Sequence, residues 1–396
     1  MQHVSWSRSA NIYEVNVRQY TPEGTLNAFA AHLPRLHQMG VDILWLTPLQ
    51  VIGKLKRQGA LGLQDAVADH TKLNPEFGTM KDLKALVQDA HALGMKVIID
   101  WVATHTARDH AWVKQNPDWY LKNHKGSELA ARADVIALDY SQKPLWTAMI
   151  QAMLHWVKEA DIDGFRCNAA HWVPLKFWQQ ARLKLEAQKP MFMVADATEP
   201  EWHDAAFDVT CDDALQEVLY SIAKGQADVR DIKAYVNASK ANMPKEGYRM
   251  TFTAHPSLVA RDSATVSHLG DAFAALSVIA ATLPGMPLLT SGQEAGLQKA
   301  LKTTEKDSID WHNLKHEKLF NTLWAMKKKH PALHNGATGA PVEIFDVDNH
   351  HILAFRRQKG VNVVSVQVNL TGQNQTFNLH GKPRKLGAWE HQIQTN

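Results

Sequence analysis

The chain has only two cysteines, Cys167 and Cys211, in 396 residues. With no CxxC pair among them, a disulfide framework and a cysteine-built metal centre are excluded, and the two are read as buried free thiols. No stretch of about 18 apolar residues occurs, so there is no candidate for a membrane-crossing helix. The first ten residues lack the apolar core of an export signal. A soluble protein is expected, either cytoplasmic or a processed exported form. Charge of one sign is not in excess: 43 Lys and Arg stand against 40 Asp and Glu, a formal +3. No run of like charge marks a nucleic-acid or membrane surface, and the short cluster of Lys54, Lys56 and Arg57 reads as a solvated loop. Internal repeats and low-complexity segments are also missing.

What the chain has is alternation of short β-rich runs with longer amphipathic segments, the pattern of βα units around a parallel sheet. Strands are expected at 12–17, 41–46, 96–101, 164–167, 191–196, 207–211, 249–253 and 287–290. Several, such as Lys96-Val97-Ile98-Ile99 and Ile43-Leu44-Trp45-Leu46, are apolar without alternation, as strands covered on both faces should be. Helices are expected at 26–39, 80–93, 144–159 and 270–282. Eight strands suggest a closed barrel, although periodicity alone leaves an open, doubly wound sheet possible.

The connection 104–139 is too long for a plain βα loop and is polar and aromatic-rich, which suggests one wall of a cleft. After about residue 331 the pattern changes to short alternating strands at 342–345, 351–356 and 363–369. The expected organisation is a barrel in two parts, 1–103 and 140–330, an insertion at 104–139 and a small all-β domain at 331–396. Of thirteen tryptophans, most, like Trp45, are read as core, with Trp112, Trp119 and Trp172 as cleft residues.

Two segments are more specific. Asp100-Trp101-Val102-Ala103-Thr104-His105, and Asp163-Gly164-Phe165-Arg166-Cys167-Asn168-Ala169-Ala170, resemble signature regions of the α-amylase family of glycoside hydrolases, family 13. IYEVNVRQYTPEGT from Ile12, LNPEFGT from Leu73 and LPGMPLLTSGQEAG from Leu283 extend the resemblance over nearly the whole chain, in order. It implies an α/β fold: a (β/α)8 TIM barrel with a short insertion after strand 3 and a small C-terminal all-β domain. It also implies retaining chemistry on α-glucosidic bonds, which needs a nucleophilic carboxylate and an acid/base carboxyl about 5–5.5 Å apart. In such barrels these groups sit at the C-terminal ends of strands.

Matched to those motifs, this sequence departs from the family at all three catalytic positions. The nucleophile position is Asn168, a neutral amide; the acid/base position is Asp196, where the family has Glu; the third carboxylate position is Ser257. Pro256 replaces the family's sugar-binding histidine, and the residue before it is His255. Asp65 stands where the family has an aromatic that stacks on the sugar, and Thr104 where it has an asparagine that often ligands calcium. The substrate-binding candidates are His105, Arg166, Asp65, His255 and Trp172. No cofactor is expected, and no metal, since Thr104 puts the calcium site in doubt and no close ligand spacing offers another. Loss of chemistry without loss of fold is expected: a pseudoenzyme that binds an α-glucan or malto-oligosaccharide, or a protein partner or active homologue. The competing expectations are a weak or altered α-glucosidase or α-amylase using Asp196, and an engineered inactive variant.

Overall fold

A computed structural model describes residues 3–123, 129, 132–244, 246–254 and 268–396. Eight parallel strands close into a barrel. They are β1 (Ile12–Val15), β2 (Ile43–Leu46), β3 (Lys96–Val102), β4 (Gly164–Asn168), β5 (Phe192–Ala195), β6 (Val209–Cys211), β7 (Tyr248–Thr251) and β8 (Met286–Thr290). Each pairs with its neighbours in chain order, and β1 meets β8 with Ile12 opposite Leu288. The open-sheet alternative is therefore excluded.

The two faces of the strands have different company. Ile12, Trp45, Ile98, Val194, Cys211, Met250 and Leu288 pack together inside the barrel. Tyr13, Leu44, Ile99, Phe165 and Met193 join the larger core under the surrounding helices. Because side chains alternate along a strand, Glu14 follows Ile12 inward, Asp100 follows Ile98, and Arg166 and Asn168 follow Gly164. A Cβ on Gly164 would lie 1.8 Å from the Phe192 carbonyl oxygen, so the strand that delivers Arg166 and Asn168 approaches β5 closer than any side chain allows.

The helix expected at 26–39 is two helices, Leu26–Ala30 and Leu33–Met39. Pro34, in the first turn of the second, cannot continue a helix arriving from before it. A hairpin, Gln50–Ile52 with Val67–Leu73, also went unread between β2 and β3. After β3 the insertion forms its own pair of short strands, His105–Ala107 with Val135–Ala137. Trp112 and Trp119, expected as cleft residues, are half-buried, and Trp112 lines a cavity with His70 and His110. Trp112 stacks on His70 at 13° and meets Trp119 edge-on at 5.1 Å, so both rings also serve packing.

Two buried histidines fasten this insertion to the barrel. The Trp112 N–H donates to His110 Nδ1 (3.1 Å), so His110 carries its proton on Nε2, which donates to His70 Nδ1 (3.2 Å). His70 Nε2 in turn donates to the Val102 carbonyl at the end of β3 (3.0 Å). Every ring nitrogen is used and both rings are neutral; burial brings His70 down to about 4 and His110 to about 3.

Beyond helix Glu317–Lys329, a four-stranded antiparallel sheet runs in the order Val342–Ile344, Ile352–Lys359, Asn362–Asn369, His391–Thr395, beside a hairpin of Gln375–Leu379 and Lys382–Leu386. The last three strands were not among those expected. Asn335 donates its amide to the carbonyls of Ser7 (2.8 Å) and Ala10 (3.0 Å), tying this region to the entrance of β1. Arg357 is fully buried and donates to the carbonyls of Thr282, Leu283, Ala340 and His334. The first two end helix Phe273–Thr282, where the helix dipole favours a cation. Arg357→Met keeps much of the volume but leaves those buried acceptors without a donor. It should lower the unfolding free energy by about 3 kcal/mol, measured by urea denaturation.

Candidate active site at the barrel mouth

Strand register sets the centre of the site. Asp100 on β3 lies opposite Arg166 on β4, and Val102 lies opposite Asn168. Arg166 has no exposed side-chain surface and sits among oxygen acceptors. It donates to Asp100 Oδ1 (3.3 Å) and to Asn168 Oδ1 (3.0 Å), and it pairs with Asp196 Oδ2 at 2.9 Å. Its guanidinium also lies over the Trp45 ring, 4.9 Å from the centroid. Burial pulls its pKa down, but Asp196 and Asp100 push it up further, and the net shift is upward.

Asp196 follows β5 and is turned inward. The Oδ2 that meets Arg166 also accepts the Ala169 N–H (3.0 Å), while its backbone N–H donates to the Cys167 carbonyl (3.0 Å). Its side chain keeps 20% of its surface exposed. Asn168 and Asp196 are thus brought together on the C-terminal rim. Ala169, in the left-handed region at φ 45°, turns the chain sharply after Asn168 into the one-turn helix Ala170–Trp172. Trp172 emerges 75% exposed beside His171, whose Nδ1 is 3.2 Å from the Asp196 carbonyl. Ser257 and His255 lie outside the described residues, as does Pro256.

Asp65 is different from its expected place as a ligand contact. It is 4% exposed, and both carboxylate oxygens are taken by Arg132 of the insertion, at 2.6 and 2.7 Å. His105 is also engaged, from Nδ1 to the Thr104 hydroxyl (2.8 Å) and from Nε2 to the Asp65 carbonyl (3.1 Å).

Against known proteins, the model of the α-amylase catalytic domain matches residues 7–128. The crystal structure of an α-amylase from Lactobacillus plantarum superposes with a TM-score of 0.86 at 26% identity, covering 99% of this chain and 100% of that one. The chain is similar to the α-amylase family. It is 25% identical to the α-amylase MalA of Haloarcula japonica, over 95% of this chain and 57% of that protein. It is 26% identical to the α-1,4-glucan:maltose-1-phosphate maltosyltransferase of Rhodospirillum rubrum, over 90% and 56%. The chain therefore spans little more than half the length of these curated relatives.

Thr104, at the position where the resemblance implies an asparagine that often ligands calcium, has its hydroxyl 2.8 Å from His105 Nδ1. Among the described residues no three His, Cys, Asp or Glu side chains are grouped to hold a metal ion. Nor is any helix among them long and apolar enough to cross a membrane.

Three groups of the network were not singled out from the sequence. Glu14 accepts from the Thr290 hydroxyl (2.9 Å) at the rim of β1; its alternation with Ile12 could have placed it there. Arg132 carried no local signal, since its partner Asp65 is 67 residues away, and Asp134 enters the network through Arg132.

Asp100 is fully buried, and among the described residues its Oδ2 has no hydrogen-bond partner. Burial, opposed by Arg166 and assisted by Glu14, pushes its carboxyl up to about 7. An unfolded chain releases that proton near pH 4. Between about pH 4 and 7 the folded protein therefore holds a proton that the unfolded chain has lost, and this group's contribution to stability falls as pH rises. Above about 7 the contribution is constant. In denaturant titrations across that window, Asp100→Asn should decline less with pH than the unmodified chain; parallel curves would show that Asp100 is ionised throughout.

Proposed function

We propose that this chain binds an α-glucan or malto-oligosaccharide at the barrel mouth and does not cleave it by the family's retaining route. The observation that carries this reading is Asn168. It stands on the rim where the nucleophile belongs, and its Oδ1 accepts from Arg166. An amide there cannot form the glycosyl ester that double displacement requires. The partly exposed carboxyl at the rim, Asp196, is drawn inward by Arg166 and the Ala169 N–H. It is also a methylene shorter than glutamate, and displacement of a reacting group by about 1 Å can cost about 10²-fold in rate. Binding has better support: Trp172 offers an exposed ring beside the rim, as saccharide faces require.

A second reading, a weak or altered α-glucan-active enzyme, draws on the relatives, which are named as an α-amylase and a maltosyltransferase. The partly exposed Asp196 could serve it as an acid. Rate measurements on an activated aryl α-glucoside separate the two. No turnover is expected from the unmodified chain. Asn168→Asp alone should remain within about tenfold of background, because catalytic groups act as a unit. Asn168→Asp with Asp196→Glu should exceed either single change by more than their product. Ready hydrolysis by the unmodified chain would establish the enzyme reading. In calorimetry, Trp172→Ala should weaken binding of maltotetraose about tenfold, equivalent to about 1.4 kcal/mol.

A further inference from the structure

The rim has a fixed order. Asp65 follows β2, His105 follows β3, Asn168 ends β4 with Trp172 just beyond it, and Asp196 follows β5. Asn168 therefore has Asp65 and His105 on one side, Trp172 and Asp196 on the other. The two sides are built differently. On the Trp172 side an aromatic ring stands free. On the other, Arg132 reaches across from the insertion and grips both oxygens of Asp65.

We propose that Asp65 and Arg132 determine which saccharides the site accepts: their ion pair walls off the insertion side of Asn168 and confines the ligand to the Trp172 side. This rests on the reading of the mouth as a saccharide site. The wall is braced at both ends. Arg132 Nε contacts Asp134 Oδ1 (3.1 Å), and Gln58 donates to the same oxygen (3.1 Å). The Asp65 carbonyl accepts from His105 Nε2 (3.1 Å) and from the Val67 N–H (3.0 Å). The Asp65 side chain is 5% exposed and that of Arg132 23%, so a sugar on this side must part a mostly desolvated, two-pronged pair. Separating such a pair leaves a carboxylate without its counter-charge, which neutral hydroxyl groups do not restore.

The consequence is a limit on chain length. A ligand confined to one side of Asn168 gains nothing from further glucose units that would lie past the wall. The test is calorimetric titration of the full chain with maltose, maltotriose, maltotetraose and maltopentaose. In the unmodified chain, affinity should stop rising after the first one or two additional units. In Asp65→Ala/Arg132→Ala it should keep rising, with a gain of about tenfold or more for maltopentaose. Asp65→Asn/Arg132→Gln, close in shape and safer for folding, should move the same way by less. Arg132→Lys, which retains a counter-charge, should follow the unmodified chain. Melting temperatures for each variant confirm that folded protein is compared.

Identical length profiles in the unmodified chain and both double variants would overturn the wall and leave the saccharide reading standing. Binding by the double variants alone would support the wall and overturn the reading of the unmodified chain as a saccharide binder. No binding by any of them would overturn both.

Discussion

Arg166 carries a full positive charge to the inside of a barrel, where an unpaired ion would be strongly disfavoured. Its position requires that carboxyl and amide oxygens gather round it, and they come from three strands: Asp100 from β3, Asn168 from its own strand, Asp196 from the end of β5. Glu14 adds a further negative charge that the guanidinium senses. Burial first, and then the neighbouring acid of Glu14 and Asp196, leaves Asp100 holding a proton to a pH where an ordinary carboxyl has lost it, despite Arg166. With Asn168 neutral, Arg166 has Asp196 as its closest charge partner.

Much of this was legible in the sequence, for a physical reason. The two-residue period of a strand tells which side chains share the barrel interior, so Ile98 implies Asp100, and Gly164 implies Arg166 and Asn168. Unbroken apolar runs such as Ile43–Leu46 show that both faces are covered. What sequence reasoning missed has no period. The pairing of Asp65 with Arg132 joins two loops, and nothing local to either residue announces it. Asp65 taken alone looked like a lost ring exposed to ligand, whereas its charge is already spoken for. Trp112 and Trp119 show a related limit. Aromatics in a polar excursion look like platforms, and nothing in the sequence places His70 and each other against their faces.

The binding role proposed for the site would require no change of shape. The barrel core, the close approach at Gly164 and the sharp turn at Ala169 do not depend on whether a carboxylate or an amide follows Cys167. A neutral amide of similar shape accepts the Arg166 hydrogen bond that a carboxylate would. The fold therefore accommodates Asn168 readily, while the buried carboxylate of Asp65 needs the counter-charge of Arg132 to hold it.

The link from Asn335 to the carbonyls of Ser7 and Ala10 has a meaning in time as well as in space. The entrance to the first strand is completed by a residue that leaves the ribosome about 320 positions later. At about 5–20 residues per second, β1 waits roughly 15–65 s after its own synthesis before that support exists. Closure against β8, with Ile12 opposite Leu288, comes nearly as late. Any sheet formed before β8 is made would have an unpaired edge at β1, the kind of edge that invites pairing with another chain.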